Sequence, residues 1–128
     1  MEYKVEGLNE LSKQFNQFQV DAGFTDSNIT QRLMLVHSEI SEAFEAYRKG
    51  HYAKIQEFET NQYVIDGSKA FKLDFEEDIK DSFEDEIADA VIRLLAMCGE
   101  NNIDIEKHIQ LKMKYNHLRG FKYGGKKF

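Results

Sequence analysis

Glu39 and Glu42 stand three residues apart in His37-Ser38-Glu39-Ile40-Ser41-Glu42-Ala43, and Glu86 and Asp89 repeat that spacing in Asp85-Glu86-Ile87-Ala88-Asp89-Ala90. Residues three apart on a helix project to the same side, so the carboxylates of each pair can converge on one point. Like charges at this spacing cost a few tenths of a kcal/mol in water, and a cation placed between them reverses the sign. Four hard oxygen donors drawn from two helices suit Mg²⁺ or Mn²⁺. Acidic pairs are also common on solvated helix faces, and with 23 acidic residues in the chain the spacing alone favours that plainer outcome. A di-iron carboxylate bundle likewise takes acids from paired helices, but it requires Glu-x-x-His. None of the four His residues has a Glu three positions before it.

The elements that must position these residues read as helices. Proline is absent, so nothing in the sequence interrupts long helices. The first helix is expected from about Leu8 to Ala22, with Leu8, Leu11, Phe15 and Phe18 on one face and Gly23 ending it. The second follows the cap candidates Asp26 and Ser27, carries Ile29, Leu33, Val36, Ile40, Phe44 and Tyr47 as its core stripe, and stops near Gly50. On it, Arg32, Leu35, Glu39, Glu42 and Ala46 form a separate stripe roughly 100–150° away, at 100° per residue. The third begins around Ser82, where Ser82-Phe83-Glu84-Asp85 resembles a capping box. Its core stripe is Ile87, Val91, Leu94 and Cys98, Gly99 closes it, and Arg93 sits on the acidic side, able to orient a carboxylate or pair with Glu86. The fourth starts after the cap candidate Asp104, carries Ile105, Ile109 and Met113 on one face, and runs to about Arg119.

Between the second and third helices, residues 52–81 read as a long connection with some local helix around Ile55 and Phe75. It contains a β-leaning patch, Tyr63-Val64-Ile65, and a turn signal, Asp66-Gly67-Ser68. Residues 120–128 read as a flexible basic tail, too glycine-rich to extend a helix. The expected architecture is a single all-α domain over 1–128, a bundle of four main helices that gains core by oligomerising.

A chain of 128 residues with net charge −6 suits one domain and argues against general nucleic-acid affinity. No apolar run approaches the ~18 residues of a membrane span and the start lacks a signal-peptide core. A single cysteine, Cys98, excludes an internal disulfide. A cytoplasmic protein is expected. The charge is uneven: Asp74 to Asp89 holds nine acids and one Lys, whereas Lys107 to Phe128 holds seven Lys/Arg and no acid. Such asymmetry can place acids for a metal and bases for phosphates, or can be solvated surface.

The two acidic segments together resemble the paired signature of the MazG-like, all-α nucleoside triphosphate pyrophosphohydrolases, whose pattern is Glu-Glu-x-x-Glu on one helix and Glu-x-x-Asp on a later one. Lys112-x-x-x-Asn116-x-x-Arg119, with Gly124-Gly125-Lys126-Lys127 after it, is similar to the ending of many small MazG-like proteins, phage-borne ones included. The resemblance runs from about Ile29 to the end. This sequence departs from the pattern in two places: Ser38 stands where the first Glu of the pair is usual, and the gap from Glu42 to Glu86 is long.

The resemblance implies hydrolysis of a nucleoside triphosphate (NTP or dNTP) between its α- and β-phosphates, giving the monophosphate and pyrophosphate in nucleotide-pool housecleaning. It implies that Glu39, Glu42, Glu86 and Asp89 hold Mg²⁺, with Mn²⁺ able to substitute, and that Glu39 or Glu42 takes a proton from the attacking water. Lys112, Asn116 and Arg119 fall on one polar stripe of the fourth helix and, with Lys126 in the tail, are the candidates for the phosphates. A homodimer or homotetramer is expected, with no nucleic-acid or membrane partner. The alternative is a non-catalytic helical module that keeps the scaffold and binds a nucleotide or a protein, a reading that Ser38 favours.

Overall fold

A computed structural model describes residues 3–26, 28–64 and 68–128, and every described element is helical. The helices are α1 (Leu8–Asp21), α2 (Ile29–Arg48), α3 (Ile55–Val64), α4 (Ser68–Asp78), α5 (Phe83–Glu100), α6 (Ile105–Arg119) and the single turn α7 (Lys122–Gly125). None is long and apolar enough to cross a membrane among the described residues. The chain forms two compact units: Ser27–Leu94, and Met1–Asp26 with Leu95–Phe128.

Local chemistry sets the helix ends. The cap of α2 is Asn28, not Asp26, and Ser27 lies outside the described residues. The Asn28 side chain accepts the Gln31 N–H at 2.9 Å while the Gln31 carboxamide accepts the Asn28 N–H at 3.0 Å, a reciprocal box that satisfies two otherwise orphaned donors. At its other end Gly50 takes a left-handed φ of 69°. The His51 N–H then reaches back to the Ala46 carbonyl and the Gly50 N–H to that of Tyr47, the Schellman arrangement that favours glycine. Ser82 caps α5 by accepting the Asp85 N–H at 3.2 Å, as the sequence suggests, but the Asp85 carboxylate accepts from Asp81 N–H rather than from Ser82.

The expected long connection is in fact largely two helices. Phe58 of α3 meets Phe71 and Phe75 of α4 edge-on, with ring centroids 5.4 and 6.5 Å apart. Gln62 donates to Asp74 at 2.8 Å, and the Lys54 N–H donates to the Asp78 carbonyl at 2.8 Å. The local helix expected around Ile55 and Phe75 therefore extends over both segments and is fixed by aromatic packing. Most of the Asp66-Gly67-Ser68 turn signal, like Ile65 of the β-leaning patch, falls outside the described residues. In the same unit the Phe83 N–H donates to the His51 carbonyl and the Ala53 N–H to Glu84. Phe83 also packs against Tyr47 and Tyr52, so the start of α5 is tied to the end of α2.

The facing of α2 and α5 differs from the expected one. On α2 the buried residues are Arg32, Val36, Glu39, Ala43 and Ala46, which is largely the acidic stripe. Of the expected core stripe only Val36 is buried; Ile29, Leu33, Ile40, Phe44 and Tyr47 are exposed, Phe44 by 60%. On α5, Glu86, Ala90 and Cys98 are buried while Ile87, Val91 and Leu94 are exposed. The small Ala43, Ala46 and Ala90 weigh little in a hydrophobic pattern, yet small side chains allow the closest approach. Periodicity finds an apolar stripe; it does not say what covers it.

In the other unit α1 packs on the end of α5 and on α6. The Asn9 side chain donates to Asp104 at 2.8 Å and accepts the Glu106 N–H at 3.3 Å. That donor, with the Lys107 N–H, holds the Asp104 carboxyl below its ordinary range. Gly99 does not end α5, which continues to Glu100; Asn102 takes the left-handed position, with the Ile103 N–H bonded to the Cys98 carbonyl. Gly99 serves a close approach instead: a Cβ there would collide with the Ser12 carbonyl on α1. G99A should therefore destabilise the protein by about 1–3 kcal/mol through overpacking, read from the denaturant midpoint at unchanged slope. An unaltered midpoint would show that the α1 backbone yields freely.

Candidate metal centre

Because α2 turns its acidic stripe inward, Glu39 meets α5. One carboxylate oxygen each from Glu39, Glu42 and Glu86 lies within 4.8 Å of the others. Glu39 and Glu86 are buried, with 8% and 6% of their surface exposed, whereas Glu42 remains exposed at the mouth of the cluster. Asp89, one turn beyond Glu86, is exposed and is not among the three converging groups, although its charge is felt at Glu39. Glu86 also belongs to a second group with Asp81 and Asp85, on the same distance criterion.

The electrostatics follow from packing like charges in partly dry surroundings. Burial, followed by hydrogen bonding to the Glu39 and Glu42 carboxyls and by their charge, pushes Glu86 up to about 8. Burial also raises Glu39; a hydrogen bond to Glu86 opposes this, and the Asp89 and Glu42 charges add to it. A cation also meets the cluster: Arg93, whose Nε donates to Glu39 Oε1 at 3.1 Å. Arg93 thus orients a carboxylate, but that of Glu39 across to α2 rather than Glu86 on its own helix. Three hard oxygen donors at this separation could hold a metal ion.

The predicted phosphate residues all lie in the other unit. Lys112 is exposed and Arg119 half-buried; both cations lie over the Tyr115 ring, 5.2 and 5.5 Å from its centroid. Asn116 lines a cavity of about 280 Å³ with Tyr3, Met113, His117 and Gly120. Its buried Oδ1 has no hydrogen-bond partner among the described residues. Lys126 is exposed just after α7, its N–H bonded to the Lys122 carbonyl. Cys98 is buried as expected, and burial pushes its thiol up, which keeps it protonated and unreactive.

Comparison of the chain with family models, curated proteins and solved structures gives no match.

Sequence reasoning missed Asp81 and Asp85 as neighbours of Glu86. The available signal was their i,i+4 spacing around the Ser82 cap, which places both at the entrance of the helix that carries Glu86.

The raised Glu86 has a consequence for stability. Its neutral form is favoured by the fold, so its stabilising contribution is complete below the ordinary carboxylate value of 4.5 and is lost as pH rises through about 8. With divalent ions chelated, the melting temperature should fall across that interval, and E86Q should flatten the fall. An equal fall in wild type and E86Q would place the pH dependence elsewhere.

Proposed function

We propose that this chain is a Mg²⁺-dependent, MazG-like nucleoside triphosphate pyrophosphohydrolase that cleaves the α–β phosphoanhydride bond and releases the monophosphate and pyrophosphate. The observation that carries the proposal is the convergence of Glu39, Glu42 and Glu86 from α2 and α5, three of the four acids that the sequence resemblance singles out. Bound there, the cation supplies charge neutralisation for the phosphates and acidifies water. Glu39, buried and held by Arg93, or Glu42, which is exposed, is the carboxylate that accepts the water's proton. Asp89 adds negative charge one turn away. Lys112, Asn116, Arg119 and Lys126 are assigned to the phosphates on their chemistry alone.

The proposed assembly is a homodimer or homotetramer of four-helix bundles, acting in the cytoplasm on free nucleotides. Support comes from the apolar residues that a single chain leaves exposed along two helices: Ile40, Phe44 and Tyr47 on α2, and Ile87, Val91 and Leu94 on α5. Contiguous exposed apolar surface marks an interaction site.

The test is hydrolysis of a panel of canonical and modified NTPs and dNTPs with Mg²⁺, resolving all products, on preparations whose mass in solution is measured in parallel. Monophosphate and pyrophosphate are expected from an oligomer. E39Q and E86Q should each lower turnover by about 100-fold or more. Diphosphate with phosphate would mean that another bond is cut. No turnover across the panel would favour a binding module that retains the scaffold.

A further inference from the structure

We infer that Arg93 is a positioning residue that competes with the bound metal for Glu39, keeping that carboxylate out of full coordination and available to the attacking water. The inference rests on the cation site proposed above and deepens it. Arg93 is on α5 two turns after Glu86, yet its Nε reaches across to α2 and donates to Glu39 Oε1 at 3.1 Å. The Glu39 side chain is 10% exposed and that of Arg93 33% exposed, so the pair is partly buried and water screens it less than a surface pair.

Two physical effects follow from that placement. A guanidinium cannot be deprotonated at working pH and cannot act as a metal ligand. It therefore occupies a lone-pair site on Glu39 Oε1 and competes there with a cation. Its positive charge also repels a divalent ion a few ångströms away, which lowers affinity by Coulomb's law. With Arg93 present, Glu42 and Glu86 would be the main holders of a cation, and Glu39 would be held back by its bond to Arg93. Without its charge, Glu39 would be free to join the groups that hold a cation, so the cation would bind tighter while that carboxylate would be lost to the attacking water. A purely structural ion pair predicts the reverse: losing it loosens the site and weakens metal binding.

The experiment measures Mn²⁺ binding to the nucleotide-free full chain by the spin-resonance signal of free Mn²⁺, for wild type, R93M, R93Q and R93K, with triphosphate turnover measured beside it. Circular dichroism verifies folding, and R93Q carries the test should R93M fail to fold. R93M and R93Q should bind Mn²⁺ about threefold tighter or more while turnover falls about tenfold or more. R93K, which keeps the charge, should bind like wild type. R93M and R93Q binding with wild-type or weaker affinity, while wild type binds well, would overturn the role of Arg93 and leave the cation site standing. Failure of wild type to bind millimolar Mn²⁺ would overturn the cation site, and the role of Arg93 with it.

Discussion

Three carboxyl groups turned toward one another between α2 and α5 are the constraint on which the rest of this structure depends. When all are ionised and no cation is bound they repel, and burial of Glu39 and Glu86 adds a desolvation cost. A fold that only had to be stable would turn such a stripe to water and bury Ile40, Phe44 and Tyr47 instead. Here Glu39 and Glu86 face inward and the large apolar residues Ile40, Phe44 and Tyr47 face outward. Both features are understandable together if the inward face serves a cation and the outward face serves another protein surface.

The packing of the Ser27–Leu94 unit serves that arrangement. Ala43, Ala46 and Ala90 are buried on the helices that carry the acids and add little bulk there. The tie between the Phe83 N–H and the His51 carbonyl, with Phe83 against Tyr47 and Tyr52, joins the end of α2 to the start of α5. The Asn28–Gln31 box and the Gly50 turn set where α2 begins and ends. The α3–α4 pair, held by Phe58, Phe71 and Phe75, fills the segment between the acid-bearing helices with a packed element.

How much of this the sequence reveals depends on which interaction decides each feature. Caps and glycines act locally, so the ends of α1 and α6 are legible; α6 runs from Ile105 to Arg119 as its Asp104 cap and periodicity predict. Helices α3 and α4 are only ten and eleven residues long. Their order comes from three aromatic rings meeting across the pair, which no single window displays. Gly99 looks like a helix stop because glycine usually is one; only the nearness of the Ser12 backbone reveals its purpose. The pairing of Glu39 with Glu42 was legible because i,i+3 spacing survives folding, whereas Asp89, at the same spacing from Glu86, stays outside the three converging groups. The burial of Glu39 and Glu86 was not, because a stripe of Arg, Glu and Ala reads as solvated until the facing helix is seen.

The account stands or falls on whether the buried carboxyl cluster is a cation site. The most direct measurement is thermal unfolding of metal-stripped protein at a fixed pH above 8 while Mg²⁺ or Mn²⁺ is titrated, with E86Q alongside. A ligand that binds only the folded state stabilises it by about 2.7 kcal/mol at a hundredfold excess over Kd. The melting temperature of wild type should climb steadily with the logarithm of metal concentration, and that of E86Q should barely respond. A wild-type melting temperature that stays flat to millimolar metal would contradict the account.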